Sequence, residues 1–177
     1  MRDTPLYEDF QGVRIRRSAP IALHRFTDFF QNFDKVPSVR EIFKERTEEV
    51  LDNLMVEFYS SPWGFMSVSE KDGHLLISAH YLETGDLRDI YLDIVHELVH
   101  VKQYLEGRPL YDERFSYVER PTEIEAYSYS IKEGRRIGMT DEELFEYLKT
   151  PWLSDEEVRR LAALLGLRVG PSGPGKA

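Results

Sequence analysis

Hydrophobic residues recur at helical spacing most persistently between Asp86 and Gly107. Leu87, Ile90, Tyr91, Ile94, Leu98, Val101 and Leu105 form one apolar stripe along that stretch. The other side carries His96 and His100 with Val95 and Val99 between them, so the predicted helix reads as covered on both sides. Asp86, following Gly85, is its expected N-cap, and Gly107 its stop.

The pattern on either side predicts the remaining elements. Pro5, Gly12 and Pro20 break residues 1–22 into an extended arm with a solvated basic cluster of Arg14, Arg16 and Arg17. A short amphipathic helix is expected over 24–33, burying Phe26, Phe29, Phe30 and Phe33. Ser38-Val39-Arg40-Glu41 has capping-box spacing and predicts a helix running to about Asn53. The period then changes to two. Strands are expected at 54–59, 63–69 and 74–80, with Asp72-Gly73 as a hairpin turn before the third. Together they predict a small, mostly antiparallel three-stranded sheet directly before the helix that carries the histidines.

Beyond Gly107, the aromatic connection 108–120 is expected to fold over the body of the domain. Pro121 suits the first turn of a helix ending near Gly134 or Gly138. Capping boxes at Thr140–Glu143 and Ser154–Glu157 open two more helices. The apolar face of the last one, Val158, Leu161, Ala162, Leu164 and Leu165, can serve either the core or a partner, which leaves the oligomeric state open. Residues 170–177, rich in Gly and Pro, read as a disordered tail. The fold class is thus α+β: one domain over 23–169 with its core over about 38–138, and helices over 140–167 added at the C-terminal side.

Composition narrows the chemistry. The chain has 177 residues, 41% of them hydrophobic, enough for one well-packed domain. It has no cysteine, so any metal must be held by His and carboxylate. A net charge of −9 argues against nucleic acid as a partner and favours neutral or basic peptides, because long-range steering follows charge. No apolar run approaches the roughly 20 residues that span a bilayer, and the N-terminus has no apolar signal region. The expectation is a cytoplasmic protein without membrane contact.

The candidate chemistry lies in His96-Glu97-Leu98-Val99-His100. Residues four apart on a helix share a face, so two imidazoles can reach one metal ion while Glu97 reaches a water bound to it. A catalytic site of this kind needs a third protein ligand. The helix after Pro121 offers Glu123, with Ala126 on the same face to permit close approach, and Glu125 as the alternative. His24 reads as a structural histidine, and His80 as structural in preference to a metal or substrate contact.

His96-Glu97-Leu98-Val99-His100 followed by Glu123-Ile124-Glu125-Ala126 resembles the gluzincin metallopeptidases, in which a glutamate helix supplies the third zinc ligand as E-x-x-A. The layout over 38–138 is most similar to the minimal soluble members, the minigluzincins. That resemblance implies a zincin-like sheet packed on a backing helix, the H-E-x-x-H helix and the glutamate helix. It implies one Zn2+ per chain on His96, His100 and Glu123, Glu97 as general base and acid, and a peptide or protein substrate paired to the strand before the motif helix. It also implies that flanking segments can cover the cleft and make the enzyme latent. Many gluzincins place an Asp four residues after the ligand Glu to orient a histidine. Here that position is Tyr127, leaving Asp93 as the candidate for the task. Tyr127 and Tyr117, and further Tyr111 and Tyr104, are candidates to stabilise an oxyanion. A zinc-stabilised, non-catalytic interaction or regulatory module is the alternative.

Overall fold

The computed structural model describes residues 6–168 and 170, and it shows a mixed α+β fold. The expected arm is largely a hairpin. β1 (Tyr7–Phe10) and β2 (Val13–Arg16) pair antiparallel around Gln11-Gly12, whose φ angles are +50° and +82°. Val13 and Ile15 point into the core while Arg14 between them faces out. This is a period-of-two pattern that the basic cluster masked.

The helix expected over 24–33 does not form as one element. The chain runs instead through β3 (Leu23–Arg25), a single turn α1 (Phe26–Phe29), β4 (Phe30–Gln31) and a 3-10 turn (Phe33–Lys35). All four phenylalanines are buried, two of them on adjacent positions, and Asn32 adopts φ +69°. Their spacing fits one helical stripe, yet the backbone changes direction at β4 and Asn32 and buries them from short successive elements. β4 completes a three-stranded antiparallel sheet in the order β1-β2-β4. His24 packs edge-on against Phe29 and bonds the Pro20 carbonyl, a structural role as expected.

α2 (Pro37–Phe43) starts at the proline, and no side chain caps it. Ser38 is buried and donates to Glu133 at 2.6 Å instead of capping, so the expected capping box is absent. The predicted long helix also breaks at Lys44, φ +54°, and resumes after a 3-10 turn as α3 (Thr47–Asn53). The expected strands follow as β5 (Met55–Tyr59), β6 (Met66–Val68) and β7 (Leu75–Ser78). They form a four-stranded sheet with β3, in the order β3-β5-β7-β6. β5 and β7 pair in parallel, and the other two pairs are antiparallel. The edge next to the histidines is therefore β6, not the strand that precedes the helix.

Ser78 ends β7 and caps α4 (Ala79–Thr84), which carries His80 out to solvent. Arg17 reaches back to the carbonyl end of α4, donating to Leu82 O at 2.5 Å, to Glu83 O and to Gly85 O. α5 (Leu87–Leu105) begins at the Asp86 cap. α6 (Pro121–Arg136) follows the aromatic connection, which contains one 3-10 turn (Tyr117–Glu119). α7 (Asp141–Leu148) has the complete Thr140–Glu143 capping box, and Ser154 caps α8 (Asp155–Leu164). Val158, Leu161 and Ala162 of α8 are buried, so its apolar face serves mainly the core. Except for Gly170, the tail expected to be disordered lies outside the described residues. Among the described residues no helix is long and apolar enough to cross a membrane.

α5 is the centre of the molecule. It packs along α6 and also against α2, β6 and β1. One polar knot locks three of these helices together. Glu133 of α6, fully buried, accepts from Ser38 of α2 and from the Tyr91 hydroxyl of α5 at 2.5 Å, and it pairs with Arg136. Removing one member strands the others without partners. Glu133→Ala is expected to lower the unfolding free energy by about 3 kcal/mol, and Glu133→Gln by less, as read by urea denaturation.

Candidate metal centre

α5 and α6 meet at His96, His100 and Glu123. Pro121 sets the start of α6, which places Glu123 in its first turn, and Ala126, fully buried, lets the two helices approach closely. His96 Nε2 lies 3.1 Å from Glu123 Oε2, and His100 Nε2 lies 3.3 Å from Glu123 Oε1. The two Nε2 atoms are 3.2 Å apart. All three residues are buried, and together they form a group able to hold a metal ion.

The hydrogen bonds around this group define what it lacks. His100 Nδ1 faces Gln103 Oε1 at 2.7 Å, and the Gln103 amide donates to Thr122 O at 3.0 Å. The glutamine therefore presents its carbonyl to the ring, and Nδ1 carries the proton. In the neutral ring His100 Nε2 is then an acceptor. It faces the His96 ring nitrogen and a carboxylate oxygen, a convergence of groups that can share a proton or a metal ion. When a proton fills that role, it settles on His100. Burial opposes charge there, but Glu123, Glu97 and Gln103 outweigh it and lift the ring to about 9. Burial holds His96 below its ordinary value. Glu123 stays ionised despite burial, held well below the usual carboxylate range by both histidines. A metal ion would displace the proton.

Glu97 projects beside the triad, 7% exposed, and its Oε2 has no hydrogen-bond partner among the described residues. Burial, with Glu123 and Asp93 nearby, pushes its carboxyl up to about 8 despite the opposing pull of His100. It lines a cavity of about 160 Å3 together with His96, Phe65, Met66, Tyr117, Tyr127 and Trp152.

The other expected residues divide. Glu125 turns away to Arg108 at 3.1 Å and to Gln103, so it does not join the triad. Asp93 does not orient His96. Its carboxylate accepts from the Tyr81 and Tyr147 hydroxyls, and His96 Nδ1 has no partner among the described residues. The Tyr127 ring steadies His96 by packing, with centroids 4.3 Å apart, and its hydroxyl meets that of Tyr117 at 2.8 Å. Tyr111 binds both backbone polar groups of Val68 on β6, and Tyr104 bonds Lys71 O at the hairpin.

Gln103, Tyr81, Tyr147 and Trp152 were not singled out by the sequence reading. Gln103 could have been, because it sits three residues past His100 on the same helical face. Tyr147 and Trp152 arrive from the C-terminal segment, where no local pattern points to the cleft.

Comparison with known protein families, with curated proteins and with solved structures finds no match. The case for function therefore rests on the residues themselves. Gln103→Ala is expected to weaken metal binding about 10- to 100-fold, and Glu123→Ala by more, as measured by metal titration calorimetry.

Proposed function

We propose that the protein is a zinc-dependent peptidase of gluzincin type, with a zincin-like core formed by the β3-β5-β7-β6 sheet, α5 and α6. The observation that carries this reading is the buried group of His96, His100 and Glu123, able to hold a metal ion, beside Glu97, whose Oε2 has no partner among the described residues. One ligand atom from each of the three residues lies within 4.8 Å of the others, close enough for all three to hold one ion. With no cysteine in the chain, two imidazoles and one carboxylate are also the donor set of a catalytic zinc.

Zinc bound there would lower the pKa of a water toward about 7 and polarise a scissile carbonyl. The protein's own groups do the rest. Glu97, adjacent in sequence to His96, accepts the water proton and returns it to the leaving amine. Its raised affinity for a proton suits the second step. Tyr117 and Tyr127 bring hydroxyls into the same cleft, where one can donate to the developing oxyanion.

An extended peptide would lie along β6. Phe65 O and Ser69 N are used on the β7 side, so the polar backbone groups of Met66 and Val68 face outward. Tyr111 occupies those of Val68, which leaves the Met66 rung for pairing. The hairpin of the expected arm packs behind α5, with Phe10 against Tyr91, and contributes nothing to the cleft lining. Among the described residues, Tyr117 and the 149–152 segment come closest to covering the cleft, and, except for Gly170, the C-terminal tail lies outside the described residues.

The unpartnered His96 Nδ1 favours a second reading, a zinc-stabilised module without turnover. Glu97→Gln separates the two. Under the peptidase reading it keeps about one zinc per chain and loses at least about 100-fold in peptide hydrolysis, as judged by elemental analysis and a quenched-peptide assay. A metal-loaded variant that cleaves at the parent rate would exclude the role given to Glu97.

A further inference from the structure

The cleft beside Glu97 holds more carboxyl groups than the proposed hydrolysis uses. Asp93 lies at its floor, open to the cleft yet deep in the protein, and Asp89 lies one helical turn earlier on α5. Neither has a cationic partner among the described residues. Asp93 accepts only from the hydroxyls of Tyr81 and Tyr147, which fix the carboxylate without neutralising it. Each of its oxygens keeps a free lone pair. Burial and the neighbouring Asp89 push Asp93 up to about 7 against the pull of the two hydroxyls, as expected of a carboxylate with no cation beside it. Lys149 lines the same cleft, but it already pairs with Glu146 at 2.6 Å and stacks over Phe145.

The walls fit the same kind of ligand. Phe65 packs against Tyr81 and against Trp152, with centroids 5.0 and 5.3 Å apart, which makes an aromatic channel leading to the carboxylates. Such a channel accommodates an aliphatic stem that ends in a cation. Glu97 opens on the same cavity with Oε2 buried and unpartnered, so the channel and the proposed reaction centre are one continuous space.

From this geometry we infer that Asp93, assisted by Asp89, is a specificity residue that receives a cationic group of the peptide, a guanidinium or ammonium, next to the bond to be cut. The inference rests on the peptidase reading for its location but is tested by binding, which needs no turnover. Fluorescein-labelled peptides that differ only in arginine or norleucine at one position are titrated into the zinc-loaded Glu97→Gln protein and followed by anisotropy. Acetylated and free N-termini are compared, so that a side-chain cation is distinguished from a terminal one.

The arginine peptide, or the free-terminus peptide, is expected to bind at least about tenfold tighter than its neutral counterpart, and the preference should shrink in high salt. Asp93→Asn should remove the preference and leave the norleucine affinity unchanged. Should that variant fold poorly, Asp89→Asn is expected to reduce the preference in part. Equal affinity for charged and neutral peptides, no binding of either, or a preference that survives Asp93→Asn would overturn the inference. Cationic selectivity without hydrolysis by the parent protein would refute the peptidase reading alone. Hydrolysis without selectivity would refute the specificity role alone.

Discussion

Two imidazole nitrogens and a carboxylate meet inside the protein where α5 crosses the start of α6. Such a meeting is costly unless a cation occupies the middle, since buried lone pairs facing one another repel in a low-dielectric interior. The surrounding fold has to supply enough cohesion to hold them there. α5 does so by being buried around nearly its whole circumference, with the sheet and α2 on one side and α6 on the other. Ala126 sets the spacing of the two helices, and Pro121 sets the axial position of Glu123. The positive end of the α6 dipole adds to the ionised state of Glu123, which lies in the first turn.

Two polar anchors, at opposite ends of the α5–α6 contact, keep that geometry from relaxing. Gln103 ties His100 to the Thr122 carbonyl at the start of α6. Glu133 ties Tyr91 and Ser38 to the far end of α6. Between them the helices cannot slide without breaking buried hydrogen bonds, and a slide of one residue would carry Glu123 away from both imidazoles. A rigid base of this kind leaves movement to the other side of the cleft, where Tyr117 and Trp152 come from a loop and from an interhelical turn.

α5 and α6 could be read from the chain because their apolar period, the Asp86 cap and the proline at the start of α6 all agree on the same boundaries. His96, Glu97, His100 and Glu123 follow from those boundaries with little added. The 24–33 stretch departs from the expected helix because its four phenylalanines fit a helical stripe in sequence but are buried by three short elements in space. Ser38 offered a cap by spacing, yet its hydroxyl goes to Glu133, ninety-five positions away. The Val13 and Ile15 alternation was present but hidden among arginines. Contacts that depend on distant segments, such as Asp93 with Tyr147, leave no local trace.

The two histidines are held by different means, and the difference bears on Tyr127. His100 has a polar anchor, which fixes its tautomer as well as its angle. His96 has none at Nδ1 and relies on the Tyr127 ring packed edge-on against it. An aspartate at position 127 would offer a charge-bearing acceptor beside His96. Tyrosine gives up that acceptor but brings a hydroxyl into the cleft beside Tyr117, where a donor is useful. Burial raises the affinity of both phenols for their protons, so each remains a donor across the neutral range. Tyrosine at position 127 thus supplies packing behind His96 and a hydroxyl in the cleft, where an acidic side chain would supply an acceptor.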